Sequence, residues 1–121
     1  MKVIVKNPND VMKVVEVAGL REINKIVGNV DANGEGLNET GSDCRQAIFH
    51  GIDMHMNARA MFNSKLPENF WDVSGFKLYC GSVVFAGYDE NSPDPFGVCS
   101  LTDEQMEYLK ENIHKFYEIQ Q

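Results

Sequence analysis

The sequence predicts an α+β fold: a single domain over residues 1–121, with a mainly antiparallel sheet of four to six strands and two principal helices on one side. Short runs rich in β-branched residues recur along the chain, a helical apolar pattern follows the second run, and the last element is an amphipathic helix. The chain has 121 residues and is 43% hydrophobic, which is enough to bury a core without disulfides or metals.

The first 28 residues predict a hairpin followed by a helix. Residues 2–6 and 12–17 are β-branched runs separated by a turn cluster that contains Pro8, so they are expected to pair as two strands. Leu20, Ile23 and Val27 then recur at helical spacing. Gly28 follows and is expected to end the helix in a left-handed conformation.

Residues 28–43 are polar and rich in glycine, which predicts a mobile loop. Residues 31–36 match the first half of a calcium-binding EF-hand loop. Ser42, however, stands where such a loop needs a bidentate Glu. A flexible loop is therefore favoured over a calcium site.

The middle of the chain predicts further strands. Ile52, Met54 and Met56 alternate with Asp53 and His55, which indicates a half-buried strand with the polar pair facing solvent. Residues 76–80 and 82–86 predict two strands, or one strand bent at a glycine, and the second run is expected at the centre of the sheet. Residues 88–100 are expected to be an exposed acidic connection.

The C-terminal helix has the strongest local signals. Thr102 and Gln105 form a capping box, in which each side chain satisfies a free backbone N–H of the other residue. Acidic residues in the first turn favour the positive end of the helix dipole. An apolar stripe is expected to face the core, made of Met106, Leu109, Ile113 and Phe116.

Charge is concentrated in the second half of the chain. Residues 1–60 carry seven Lys/Arg and eight Asp/Glu, whereas residues 61–121 carry four and ten. Direct nucleic-acid binding is not expected, since no basic stripe is present, and a partner protein with a basic surface is favoured instead. Candidate partner-binding residues are Asp89, Glu90, Asp94, Phe96, Glu104, Glu107 and Glu111.

Two other kinds of site have weaker support. A small ligand or nucleotide would need a local basic pocket around Arg21, Arg45 or Arg59. A metal site would need His50, Asp53 and His55, although these do not follow a recognised ligand spacing. No cofactor is expected, and no nucleophile motif or phosphate-binding loop indicates an enzyme.

Cysteine content and hydropathy indicate the compartment. The three cysteines are an odd number without CxxC spacing, which favours a reducing cytoplasm over a disulfide framework. The N-terminal apolar run is too short for a signal peptide, and no stretch is long enough to span a membrane. The oligomeric state is left open.

Several segments resemble a known family in their order along the chain. They are MKVIV at 1–5, IVG at 26–28, NAR at 57–59, GSVVFAG at 81–87 and SLTDEQ at 100–105. Together they are similar to a family of small domains of unknown function encoded by bacteriophages, plasmids and other mobile elements of bacteria. The resemblance implies an accessory protein of a bacterial host cell, and it implies no catalytic residues.

These observations favour a non-catalytic accessory protein that binds a host protein through its acidic half, and the host's defence proteins are among the candidate partners. A small-ligand or nucleotide-binding protein and a small metal-dependent enzyme are the alternatives. The first predicts stabilisation by a nucleotide, and the second predicts stoichiometric metal in the purified protein.

Overall fold

The computed structural model describes residues 1–41, 43–48, 51–59, 65–71 and 78–112. These residues form an α+β domain with two helices, a six-stranded antiparallel sheet and a small second sheet. In chain order the elements are β1 (Lys2–Lys6), β2 (Lys13–Glu16), α1 (Leu20–Val27), β3 (Arg45–Ala47), β4 (Ile52–His55), β5 (Glu68–Trp71), β6 (Leu78–Cys80), β7 (Val83–Tyr88), β8 (Val98–Cys99) and α2 (Asp103–Asn112).

The main sheet has the order β2-β1-β7-β4-β3. The hairpin of β1 and β2 predicted from the sequence is confirmed, with Val3 opposite Val15. Strand β7 lies between β1 and β4, as expected for the most hydrophobic run in the chain. Strand β8 pairs with the end of β7, so the expected acidic connection over residues 88–100 contains a short strand at Val98–Cys99.

The residues on either side of Gly81 form two strands in different sheets. Strand β6 pairs with β5 in the small second sheet, whereas β7 belongs to the main sheet. Gly81 has a φ of 78°, a left-handed conformation that glycine adopts without strain. The reading with two strands is therefore the correct one.

The two helices cover opposite faces of the main sheet. Val3 and Val5 on β1 pack in one cluster with Ile23 of α1, while Ile4 between them packs in a second cluster with Leu109 of α2. Successive side chains of a strand point to opposite faces, so the two clusters lie on opposite sides. The expectation that both helices lie on one side is wrong. The small second sheet shares the α2 side.

The C-terminal end of α1 and the N-terminal end of α2 are as the sequence predicts. Gly28 follows α1 with a φ of 89° and donates its N–H to the last carbonyls of the helix. The backbone N–H of Thr102 donates to Gln105 Oε1 at 3.0 Å, and the N–H of Gln105 donates to Thr102 Oγ1 at 3.1 Å. Met106 and Leu109 are buried, and the rest of the predicted stripe lies outside the described residues.

Candidate functional site

A cleft of about 540 Å³ opens on the α1 side of the main sheet. Its floor is formed by strands β3 and β4, and its walls are formed by residues 40–41 and by the loop of residues 89–97. This volume lies within the usual range of small-ligand sites. The lining residues are Thr40, Gly41, Arg45, Ala47, Asp53, Tyr88, Glu90, Pro95, Phe96 and Gly97.

A buried ion pair lies at the floor of the cleft. Arg45 donates from Nε and from a terminal nitrogen to Asp53 Oδ2, both at 2.5 Å. Its other terminal nitrogen donates to the Phe96 carbonyl at 2.6 Å. The guanidinium carbon also lies 5.0 Å from the centre of the Tyr88 ring, within range of a cation–π interaction. Arg45 is therefore held in place by three different segments of the chain.

The other carboxylate oxygen of Asp53, Oδ1, makes no contact with Arg45. The Asp53 side chain is only 5% exposed, yet it lines the cleft. Arg45 contacts only Oδ2, and none of the described residues donates a hydrogen bond to Oδ1. A carboxylate accepts several hydrogen bonds, so Oδ1 is an acceptor available to a ligand in the cleft.

The conformation of the loop of residues 89–97 is stabilised by hydrogen bonds that its own acidic side chains accept. Asp94 Oδ1 accepts from the backbone N–H of Phe96 at 2.7 Å and of Val98 at 3.4 Å. Asp89 Oδ1 accepts from the N–H of Asn91 at 2.9 Å. These hydrogen bonds satisfy backbone N–H groups of the loop that would otherwise bond to water, and they fix the backbone conformation at Phe96. Two of the predicted partner-binding acids therefore have a structural role.

Tyr88 is positioned by a glycine. Gly97 has a φ of 75°, and a Cβ on it would lie 2.5 Å from the Tyr88 ring. The ring thus packs against the Gly97 backbone and also contacts Arg45. Tyr88 remains 45% exposed, so part of its surface is available at the cleft.

The other wall continues from the loop of residues 29–41, which is tied to α1. Asn24 donates from Nδ2 to the carbonyls of Leu37 at 2.8 Å and Glu39 at 3.1 Å. Asp31 Oδ1 accepts from the N–H groups of Asn33 and Glu35, which closes the turn inside this loop. The segment predicted as a loose polar loop is thus held by specific hydrogen bonds.

His55 is buried beside the cleft floor. It lies opposite Arg45 in the β3–β4 pairing, is only 1% exposed, and neither ring nitrogen has a hydrogen-bond partner among the described residues. Burial lowers its pKa to about 4, the positive charge of Arg45 adds to this effect, and the carboxylate of Asp94 opposes it. His55 is therefore neutral at pH 7.

The expected solvent-facing position of Asp53 and His55 is wrong, because α1 and the loops cover that face of the sheet. Of the three predicted metal ligands, His50 lies outside the described residues and Asp53 pairs with Arg45. The described part of the chain holds no group of three His, Cys, Asp or Glu side chains that could bind a metal ion.

The predicted basic pocket does not form among the described residues. Arg45 lines the cleft, whereas Arg21 and Arg59 are exposed and are not part of its lining. Since Arg45 is paired with Asp53, its charge is neutralised locally. The cleft is therefore a poor site for a phosphate group.

The remaining predicted partner-binding residues lie on two parts of the surface. Glu90 is exposed and lines the cleft, and Phe96 is half-buried against the α1-side core rather than fully exposed. The others are exposed on α2, on the opposite side of the sheet: Glu104, Glu107 and Glu111.

Sequence reasoning missed Tyr88, Gly97 and Thr40 as cleft residues. The aromatic Tyr88 ends the central strand β7, directly before a glycine-containing acidic loop, and this is the signal that could have identified it. Thr40 carried no such signal. Its hydroxyl is buried and has no hydrogen-bond partner among the described residues.

Comparisons of the chain with protein-family models, curated protein sequences and solved structures found no match. Within the described ranges, no helix combines the length and the apolar character that a membrane crossing requires.

Proposed function

We propose that this chain is a non-catalytic accessory protein that binds a basic surface of a host protein. The observation that carries the proposal is the cleft, in which Arg45, the one cationic lining residue in the described part of the chain, is already paired with Asp53 while Glu90 lies at its wall. The chain has a net charge of −7, and this charge would steer a basic partner towards it.

The context follows from the sequence resemblance to domains of phages and other mobile elements. A bacterial host cytoplasm, and a host-defence protein as partner, belong to this proposal. Glu104 and Glu107 on α2 offer a second acidic surface for the same partner or for another contact with it.

The test uses charge variants that leave the loop intact. Asp89 and Asp94 accept hydrogen bonds from backbone N–H groups of the loop, so substituting them would change the loop as well as its charge. Glu90→Gln with Glu107→Gln removes two exposed charges instead. Glu16→Gln with Glu35→Gln is the matched control, since it removes the same charge from other exposed positions.

Each variant is used for affinity capture from bacterial lysate, followed by a binding titration with the purified captured protein. The first pair is expected to weaken binding about tenfold or more, with a steep dependence on salt, and the control pair is expected to have little effect. Equal affinities for both pairs, or the absence of any captured protein, would contradict the proposal.

A small planar ligand is the second candidate, favoured by the volume of the cleft and its aromatic lining from Tyr88 and Phe96. Under this function an uncharged nucleoside raises the melting temperature more than its phosphorylated form does, because Glu90 repels the phosphate. A thermal-shift series of nucleosides and nucleotides measures this difference. If neither class stabilises the protein, this second function is excluded for those ligands.

A further inference from the structure

The floor of the cleft presents a hydrogen-bond acceptor that the protein itself leaves unused. Asp53 is 4% exposed, and its Oδ2 accepts both bonds from Arg45. Its Oδ1 accepts none from the described residues, although the residue lines the cleft. The Asp53 side chain is mostly shielded from solvent, so a charge-assisted hydrogen bond to Oδ1 inside the cleft is stronger than one to a fully exposed carboxylate.

The charged residues that line the cleft favour a cationic hydrogen-bond donor. Glu90 adds a second carboxylate. Arg45 is the one cation among the described lining residues, and it already donates from Nε and from both terminal nitrogens. A negatively charged ligand would meet two carboxylates and no available cation. A cationic donor would meet complementary charge, and a charge-assisted hydrogen bond is stronger than a neutral one.

The side chains on the walls of the cleft favour a planar cation. Tyr88 is 45% exposed, and Pro95 and Phe96 continue the apolar lining beside it. Arg45 shows that a guanidinium is accommodated against Tyr88, at 5.0 Å from the ring centre. A planar, weakly hydrated guanidinium stacks on such surfaces at lower desolvation cost than an ammonium group does.

We infer that the cleft binds the guanidinium of an arginine side chain of the partner protein, which donates to Asp53 Oδ1 and is attracted by Glu90. This inference rests on the proposed function and names the group that the partner inserts. The Arg45–Asp53 pair then has a second role, because the two bonds from Arg45 to Oδ2 fix the orientation of the Asp53 carboxylate and leave Oδ1 for the incoming arginine.

The test measures binding of blocked tripeptides by NMR titration of the ¹⁵N-labelled protein. The probes are Gly-Arg-Gly, Gly-Lys-Gly and Gly-citrulline-Gly, in which citrulline keeps the shape of arginine but carries no charge. The arginine peptide is expected to shift the amide signals of Asp53, Tyr88 and Gly97. Its affinity should exceed that of the citrulline peptide about tenfold, the value of one charge-assisted hydrogen bond.

Variants separate the roles of the side chains. Asp53→Asn retains an oxygen that accepts from Arg45 but removes the charge, and it should weaken the arginine peptide about tenfold. Glu90→Gln, at an exposed position, should weaken it a few-fold and is informative even if Asp53→Asn fails to fold. Glu35→Gln is the control and should change nothing.

Equal binding of the lysine or citrulline peptide would overturn the inference, as would unchanged binding to both the Asp53→Asn and Glu90→Gln variants. The two proposals fail separately. If a basic partner binds in a charge-dependent manner but the arginine peptide does not, the cleft assignment is wrong and the partner-binding function stands. If the arginine peptide binds but no partner binds in a charge-dependent manner, the cleft assignment stands and the partner-binding function is wrong.

Discussion

Among the described glycines, Gly36 leaves the least room for a side chain. A Cβ at this position would lie 1.8 Å from the Arg21 carbonyl oxygen and 3.1 Å from the Lys25 nitrogen. Both neighbours are backbone atoms of α1, so no side-chain rotation relieves the contact. The loop of residues 29–41 therefore lies against α1 at a distance that only glycine permits.

We predict that Gly36→Ala lowers the free energy of unfolding by at least about 2 kcal/mol, because the loop must move away from the helix. Urea denaturation measures the change. Gly19→Ala is the control, since Gly19 has an extended φ of 172° and no atom within 4 Å of an added Cβ. If the two variants are equally stable, the loop does not pack closely against α1 at Gly36.

His55 makes stability depend on pH. Its ordinary pKa is 6.5 and burial lowers it to about 4, so between these values the unfolded chain binds a proton that the folded protein does not. Stability is therefore highest above pH 6.5 and is lost as the pH falls towards 4. The expected loss between pH 7.5 and 5 is about 2 kcal/mol.

Denaturant unfolding at both pH values, for the wild type and for His55→Leu, isolates this contribution. Other acidic groups titrate in both proteins, so the difference between the two pH dependences reports His55 alone. The variant should lose about 2 kcal/mol less than the wild type on acidification. Identical pH profiles would show that His55 is not held neutral by burial.

At the scale of elements, Asn24 connects α1 to the loop beside the cleft. Its side chain donates to two loop carbonyls, at Leu37 and Glu39, and Asn29 donates to the Met56 carbonyl just beyond β4. Asparagine is costly to bury without partners, and here the partners are the loop backbone itself. The helix therefore acts as the support of one cleft wall.

Asn24→Ala is predicted to loosen residues 37–41 while leaving the sheet in place, because it leaves two loop carbonyls without their donor. Hydrogen exchange should rise in this loop by about tenfold or more and remain unchanged in β7. Lys25→Ala is the control, as Lys25 is an exposed neighbour on the same helix. Unchanged exchange in the loop would contradict the tether.

Elements with local signals were predictable from the sequence. Gly28 and the Thr102–Gln105 box mark helix ends through chemistry that the backbone needs at those positions. Strand β3 was missed because three residues are too few for a periodic pattern. The burial of Asp53 and His55 was also missed, since alternation shows that two faces differ but not that a helix and two loops cover the polar one.

For the whole molecule, the Arg45–Asp53 pair joins β3, β4 and the loop of residues 89–97 into one unit. Asp53→Ala would leave the half-buried Arg45 without its carboxylate partner, and it is predicted to cost about 3 kcal/mol of stability. The double variant Arg45→Met with Asp53→Leu should recover much of that loss, since it removes both charges. Thermal denaturation of the wild type, of the single variants Arg45→Met and Asp53→Leu, and of the double variant measures the coupling, and additive effects would contradict it.

Contacts that depend on the whole fold were beyond sequence reasoning. Residue 45 and residue 96 are far apart along the chain, and no local pattern indicates that the Arg45 side chain reaches the Phe96 carbonyl. The placement of the helices on opposite faces likewise depends on the order of strands between them. The sequence predicted the charge of the cleft wall at Glu90 but not the cleft.

The division of the cleft into a floor of strands and walls of loops has a consequence for protein engineering. Glu90 and Pro95 are exposed, make no side-chain hydrogen bond within the described residues and lie outside the sheet. Randomising these two positions in a combinatorial library would vary the recognition surface while Asp94 and Gly97 keep the loop in shape. The domain thus offers a small scaffold on which selectivity for different side chains can be selected.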